Sequence, residues 1–443
     1  MEMRKGNLWK SIWLFSMPLM FTSLLQICFN LADVAVVGKF SGPISLGAVG
    51  STTILVNLAT HIHLGMSSGV NALTALFIGA DEDKNLKTCV HTGILLCLGM
   101  GILVLGLSEI FSYDILVLLG TKDELIDEAL VYFRLYMLGA PALGLFNYGN
   151  AVLSASGDTR RPLKYLTVAG IINVILNLFF VLALKMNASG VAVASIISEY
   201  ISAFLVIRAL IKSNEKYKLM PREIRLDTKM AVRILKISIP SAIQYSLFQI
   251  ANLFVQASVN TFDHVVVEGN SAAANYDSII YGMMAAFYTA STSFIAQNYG
   301  AMNKERIRKT YLITTIYSFG VAFVLGMLLL IFRREAFLMF TSDEAVILAG
   351  SARMGVMATS YAFSGPMDNA TAACRGLGKT VVPTIALILG AVVFRITWIY
   401  TVFAMYRTIE SLYALYICSW TFTAIIENVY FFFIYRKATK QMQ

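Results

Sequence analysis

Twelve apolar runs dominate this chain, at roughly 12–37, 52–78, 90–112, 132–153, 165–184, 190–211, 238–260, 277–298, 311–332, 353–373, 381–404 and 412–434. About 20 apolar residues in a helix cross about 30 Å of hydrocarbon, and only helices or closed barrels satisfy their backbone polar groups there. Runs of this length predict an all-α integral membrane protein with twelve transmembrane helices. Only 14% of the 443 residues are charged, against about 25% in soluble domains, which excludes a soluble enzyme. The first run follows Arg4, Lys5 and Lys10. It is too long for a signal-peptide core and has no small-residue cleavage site before Asp33, so it reads as a retained span. The five cysteines are odd in number and mostly lie within or beside apolar runs. They read as small buried hydrophobes, not as a disulfide framework or a metal cluster.

The net charge of +9 reflects topology rather than nucleic-acid binding. With the amino terminus inside, 25 of the 35 Lys and Arg residues fall in cytoplasmic segments and six (Lys39, Lys122, Lys185, Arg333, Arg334 and Arg407) in the opposite loops. That excess predicts both termini in the cytoplasm.

The chain also repeats itself. A shift of 221 or 222 residues lays "SMP" (16–18) on "SIP" (238–240), "GADEDK" from Gly79 on "GAMNKE" from Gly300, and "GDTRRP" (157–162) on "GKTVVP" (378–383). A shift of 228 lays Glu199 and Arg208 on Glu427 and Arg436. Each copy holds six spans, so the copies share one orientation and are related by a pseudo-twofold axis along the membrane normal. The expected layout is an amino-terminal six-helix lobe (1–211), a cytoplasmic linker (212–236) and a carboxy-terminal six-helix lobe (237–443).

Several stretches carry a family resemblance: "LADVAVVGKF" ending the first span after an early proline, "GVNALTALFIGA" and its counterpart "FIAQNYGA", "SASGDTRRP" and "ACRGLGKTVVP" at two span turns, and "NVILN" in span five. In order, spacing and twofold recurrence the chain resembles the multidrug and toxic compound extrusion (MATE) transporters over essentially its whole length, with the DinF-like branch nearest. The resemblance implies a V-shaped, two-lobed antiporter with a central cleft, expelling organic, often cationic compounds against entering Na⁺ or H⁺. It implies no cofactor beyond that coupling ion, a monomer, and a bacterial inner membrane as its home.

Asp33, fifteen residues after Pro18, matches the first-span aspartate of that branch. Its companions, carried over by position, are Asn173, Asn177 and Ser195. The residues themselves agree: Asn173 and Asn177 are i and i+4 on one helix face, and a carboxylate inside a span costs about 2.5–3.5 kcal/mol, which marks it as functional. Asn177 stands where the family has an aspartate and Ser195 where it has a threonine, so the site carries one formal charge. A lone carboxylate among neutral oxygens favours its protonated form, which suits H⁺ over Na⁺. Phe248 occupies the position at which the NorM-like and eukaryotic branches carry a second-lobe glutamate, so coupling is expected at Asp33. Pro18, which removes a helix hydrogen bond, is the expected hinge.

Five of the other charges in or at spans are candidates for a charge pair or for the cleft. Arg395 is expected to pair with Glu427, and Glu199 is the repeat counterpart of Glu427. Asp277 and Asp368 are expected to line the cleft and attract cationic substrate. His61 and His63, at i and i+2, point to different faces, so no metal site is expected. Two rivals remain. A flippase of lipid-linked precursors, or a carrier of one metabolite, would share the fold; the excess of intramembrane acids over Arg395 disfavours an anionic substrate. A membrane enzyme would need paired acids, a Ser–Lys dyad or "HExxH", and none is present.

Overall fold

The computed structural model describes residues 3–440 and 442. They form helices α1 (Leu8–Phe40), α2 (Gly42–Gly79), α3 (Asp83–Leu118), α4 (Asp123–Met137), α5 (Ala140–Ala155), α6 (Arg160–Ala183), α7 (Asn187–Ile211), α8 (Thr228–Val259), α9 (His264–Gly300), α10 (Lys304–Ile331), α11 (Arg333–Leu338), α12 (Glu344–Gly376), α13 (Val381–Tyr406) and α14 (Ile409–Ala438). Each of the twelve apolar runs falls on one helical pass. Ten helices are individually long and apolar enough to cross a membrane, and α4 with α5 forms another pass bent by 43°. The bend has a local cause, since Pro141 has no amide hydrogen to continue the ladder. The remaining pass, α8, is less apolar because Gln244, Gln249 and Asn252 interrupt it. Large side chains stand exposed along the passes, among them Ile110, Phe204, Val429 and Phe433, as expected where the surrounding medium is hydrocarbon. The protein is an all-helical, multi-pass membrane protein.

The chain divides into two compact units, Phe21–Ala242 and Met1–Met20 with Ile243–Gln443. These differ from the expected lobes in two ways. The segment 212–236, expected as a cytoplasmic linker between the lobes, belongs to the unit Phe21–Ala242. It buries Tyr217 and Leu219 in that unit's core, the Met220 amide donates to His91 Nε2 at 3.0 Å, and the Asp227 amide donates to Thr92 Oγ1 at 3.2 Å. Secondly, both boundaries fall inside helices. α1 passes from one unit to the other after Met20 and α8 after Ala242, in each case two residues beyond a proline, Pro18 or Pro240.

Within the unit Phe21–Ala242, small residues set the helix spacing. A Cβ on Gly65 of α2 would lie 2.2 Å from Cα of Ala242 on α8. Such close backbone approach is how membrane helices gain packing energy without a hydrophobic drive between them. Gly65→Val should therefore destabilise this unit by about 1–3 kcal/mol or more, read as a lower melting midpoint in detergent. An unchanged midpoint would mean that the helices separate freely here.

The fifth span of each sequence half carries a rare distortion. α6 ends in a π-helical segment, Phe179–Ala183, and α13 holds two, Ile388–Val393 and Ile399–Phe403. π-segments cluster at functional positions. Here one begins two residues after Asn177, and the other two flank the turn that carries Arg395.

Candidate functional site

The four residues expected to form the coupling site meet in the unit Phe21–Ala242. α1 supplies Asp33, α6 supplies Asn173 and Asn177, and α7 supplies Ser195. Gly170, one turn before Asn173, leaves room for the Phe29 ring, since a Cβ there would lie 1.9 Å from it. That close approach of α1 and α6 brings Asp33, one turn beyond Phe29, within reach of Asn177.

The polar atoms close a ring. Asn177 Nδ2 donates to Asp33 Oδ1 at 2.5 Å and to Asn173 Oδ1 at 3.2 Å. Asn173 Nδ2 donates to Ser195 Oγ at 3.3 Å, and Ser195 Oγ donates to Asp33 Oδ2 at 3.4 Å. Asn173, Asn177 and Ser195 are buried. One oxygen falls outside the ring: Asn177 Oδ1 is buried with no hydrogen-bond partner among the described residues. Buried acceptors are normally paired, so an unpaired oxygen next to a carboxylate marks a place where a cation or a proton donor gains binding energy. The ring contains one formal charge and no fixed cation.

Glu199 lies one turn beyond Ser195 on α7. Its Oε2 packs against Gly139, 2.0 Å from where a Cβ would sit, and Tyr136 faces its carboxylate. Neither Tyr136 nor its neighbour Tyr132, whose ring centroid is 5.9 Å away, was picked out from sequence. A tyrosine four residues from another in an apolar run carries no signal of its own.

The other unit departs from expectation at three charges. Arg395 does not pair with Glu427. Its Nη1 donates to Asn252 Oδ1 at 2.8 Å and its Nε to Ser419 Oγ at 3.4 Å. Its guanidinium lies 4.6 Å from the Tyr416 ring centroid and 5.0 Å from that of Phe248. Glu427 accepts instead from the Thr371 hydroxyl. The reason is position along α14: Arg395 engages residues 416–420, and Glu427 is eight residues past Ser419, about 12 Å along the helix axis. Exchanging the two charges, Arg395→Glu with Glu427→Arg, should therefore give no recovery of folded protein over either single change. Monodisperse yield in detergent reads this, and rescue would contradict these partners.

Asp277, expected to attract substrate, is already neutralised. Arg353 of α12 donates to both of its carboxylate oxygens and the Tyr361 hydroxyl to one of them. Arg353 is itself buried, with its guanidinium 5.2 Å from the Tyr413 ring centroid. Arg395 is also not the lone buried base: Arg353 and Arg375 are buried too, and Arg375 donates to Gln244 Oε1 at 3.3 Å and to the Tyr245 hydroxyl at 3.2 Å. The charge count that disfavoured an anionic substrate therefore does not hold for this unit. Asp368 on α12 faces the Tyr288 hydroxyl, and the positive charges of Arg375 and Arg395 act on it. Gln244, Asn252 and Thr371 were missed from sequence. A signal existed, because Gln244, Phe248 and Asn252 recur at i, i+4 and i+8 on one face of α8.

The model of the family described as MatE matches the chain twice, at residues 18–179 and 240–401. The two matches are offset by 222 residues, the offset of the internal repeat. The chain is 27% identical to the "Probable multidrug resistance protein YpnP" of Bacillus subtilis, covering 82% of this chain and 81% of that one. It is 24% identical to the "FAD transporter" of Shewanella oneidensis, covering 75% and 74%. The solved outward-facing structure of a multidrug resistance MATE family transporter matches 99% of this chain and 98% of its own, with a TM-score of 0.91 at 21% identity. At that identity the structural likeness speaks for the fold.

Proposed function

As the chain belongs to the MatE family of membrane transporters, we propose that it is a cation-coupled antiporter exporting organic, cationic or amphiphilic compounds across the cytoplasmic membrane. Asp33 is the coupling carboxylate, with Asn173, Asn177 and Ser195 as its neutral partners. The observation that carries this reading is the closed ring around a single carboxylate, with the buried Asn177 Oδ1 beside it taking no hydrogen bond among the described residues. H⁺ is the favoured ion, because a proton needs a single carboxylate oxygen, whereas Na⁺ needs a shell of several oxygens and each Asp33 oxygen already accepts a hydrogen bond, from Asn177 Nδ2 or Ser195 Oγ. Both termini face the cytoplasm on the strength of the Lys and Arg distribution.

Coupling follows from differential binding. Only a ligand that favours one conformation shifts the equilibrium, so the ion bound at Asp33 must distinguish two forms of the amino-terminal unit. Pro18 supplies the compliant point, since α1 lacks one backbone hydrogen bond there, two residues before the helix enters that unit. Pro18→Ala restores that bond and should slow transport about tenfold, while substrate binding in detergent stays within about twofold. Transport at the wild-type rate would remove Pro18 from the mechanism.

A specific observation favours a second reading, the export of one anionic metabolite. Two buried arginines, Arg375 and Arg395, lie in the carboxy-terminal unit besides the Arg353 that Asp277 neutralises, and one relative is named an FAD transporter. Counterflow in proteoliposomes separates the two. Vesicles preloaded with ethidium or with flavin adenine dinucleotide are assayed for uptake of the same labelled compound. Ethidium exchange alone supports the main reading, flavin dinucleotide exchange alone replaces it, and exchange of neither rejects both substrate classes.

A further inference from the structure

A cavity of about 330 Å³ opens where the start of α6 meets the end of α7. It is lined by Arg161, Tyr165, Leu205, Arg208, Lys212 and Ser213, together with Ala209. This is at the small end of the range for ligand cavities, about 300–1,000 Å³. It lies at the basic end of these spans, away from the ring around Asp33.

Its charge is uneven in an informative way. Arg161 is held in place by an ion pair with Asp158 and by donation from Nη2 to the Tyr217 hydroxyl at 3.1 Å. Arg208, in the last turn of α7, and Lys212, the residue that follows its end, enter no ion pair among the described residues. The cavity is therefore lined by two cations with no ion pair among the described residues, a third cation held by Asp158, and Tyr165. Ser213 Oγ accepts from the Glu215 amide at 3.2 Å, which leaves its own proton available. On the membrane side the wall turns apolar at Leu205 and Ala209, and the neighbouring surface exposes Phe204 and Val168. Nothing in the antiport cycle uses these groups.

The second sequence half repeats part of the arrangement: Arg436 and Lys440 stand where the first half has Arg208 and Lys212, but Val381 and Val382 replace Arg160 and Arg161, so the third cation of the cavity is particular to the first half.

We propose that this cavity binds a phosphate group, and that its source is the headgroup of an anionic membrane lipid of the phosphatidylglycerol class. Cations and hydroxyls at the mouth fit the phosphodiester, and the apolar wall running toward the span interior fits the acyl chains. Basic pockets between transmembrane helices on the cytoplasmic side are suited to such headgroups. A lipid held here bridges α6 and α7, the helices that carry Asn173, Asn177 and Ser195.

The test is thermal stabilisation of the full chain in neutral detergent by three probes: short-chain phosphatidylglycerol, phosphatidylcholine of the same chains, and glycerol phosphate. The variant is Arg208→Gln with Lys212→Gln. The control, Lys218→Gln with Arg222→Gln, removes the same charge from the neighbouring loop. Wild type and control should be stabilised by phosphatidylglycerol and not by phosphatidylcholine, and half-saturation should rise at least about tenfold in the variant. Glycerol phosphate saturating at the concentrations needed for phosphatidylglycerol would keep the phosphate site but assign it to a soluble ligand. Equal stabilisation of variant and wild type, or an equal loss in the control, would overturn the proposal. Should the double variant not purify, Lys212→Gln alone reads the same shift at smaller size.

Discussion

Asp33→Asn is expected to lower gradient-driven transport at least 100-fold while leaving the protein folded. The carboxamide is nearly isosteric with the carboxylate: its oxygen can still accept from Asn177, and its NH2 can donate to the Ser195 hydroxyl, which turns from donor to acceptor there, so α1, α6 and α7 keep hydrogen-bonded contacts. What disappears is the one charge that a proton or cation neutralises. A 100-fold loss corresponds to about 2.7 kcal/mol, comparable with the cost of holding a carboxylate in a span, about 2.5–3.5 kcal/mol. The melting midpoint in detergent should stay level or rise, because that burial cost is removed. Loss of transport together with a collapsed midpoint would mean instead that Asp33 is structural.

The second large effect concerns Asp277 and Arg353. Removing one partner of a buried ion pair leaves an uncompensated charge and costs about 3–5 kcal/mol, whereas replacing both with apolar residues is often neutral. The side chains of Arg353 and Asp277 are 5% and 19% exposed, so Asp277→Leu alone should sharply reduce folded yield. Arg353→Met combined with Asp277→Leu should recover most of it, short of what is lost when Tyr361 loses its acceptor. Transport by the double variant should persist, since the pair offers no free charge to substrate. A stable double variant that does not transport would return Asp277 to the functional cleft.

Much of this architecture is visible in the sequence because the membrane simplifies the physics. A backbone in hydrocarbon must be helical, so apolar runs alone locate the passes. The duplication is equally legible, since "GDTRRP" and "GKTVVP" begin the same span in each half. The unit boundaries were not legible. Pro18 and Pro240 mark where α1 and α8 are weakest, but which unit each half-helix joins depends on packing between residues far apart in sequence. The same holds for Arg395. An internal charge announces that it has a partner, and the nearest opposite charge on the next span is the natural choice. The partner is in fact a neutral amide, Asn252, with aromatic faces on α8 and α14. Phe248 shows what sequence can and cannot reach. Its place on α8 indicated a missing acid, and the structure adds that a buried guanidinium lies over its ring, 5.0 Å from the centroid, so this position sits beside a fixed cation.

The central claim, that Asp33 couples ion entry to substrate exit, is tested most directly in proteoliposomes. Transport of a fluorescent cation such as ethidium is followed under an imposed pH gradient and, separately, under a Na⁺ gradient, for wild type and Asp33→Asn. The account predicts that the pH gradient drives transport by wild type, that the Na⁺ gradient does not, and that neither drives the variant. Gradient-driven transport by Asp33→Asn at the wild-type rate would contradict it and move the search for the coupling group to Glu199, Asp368 or Glu427.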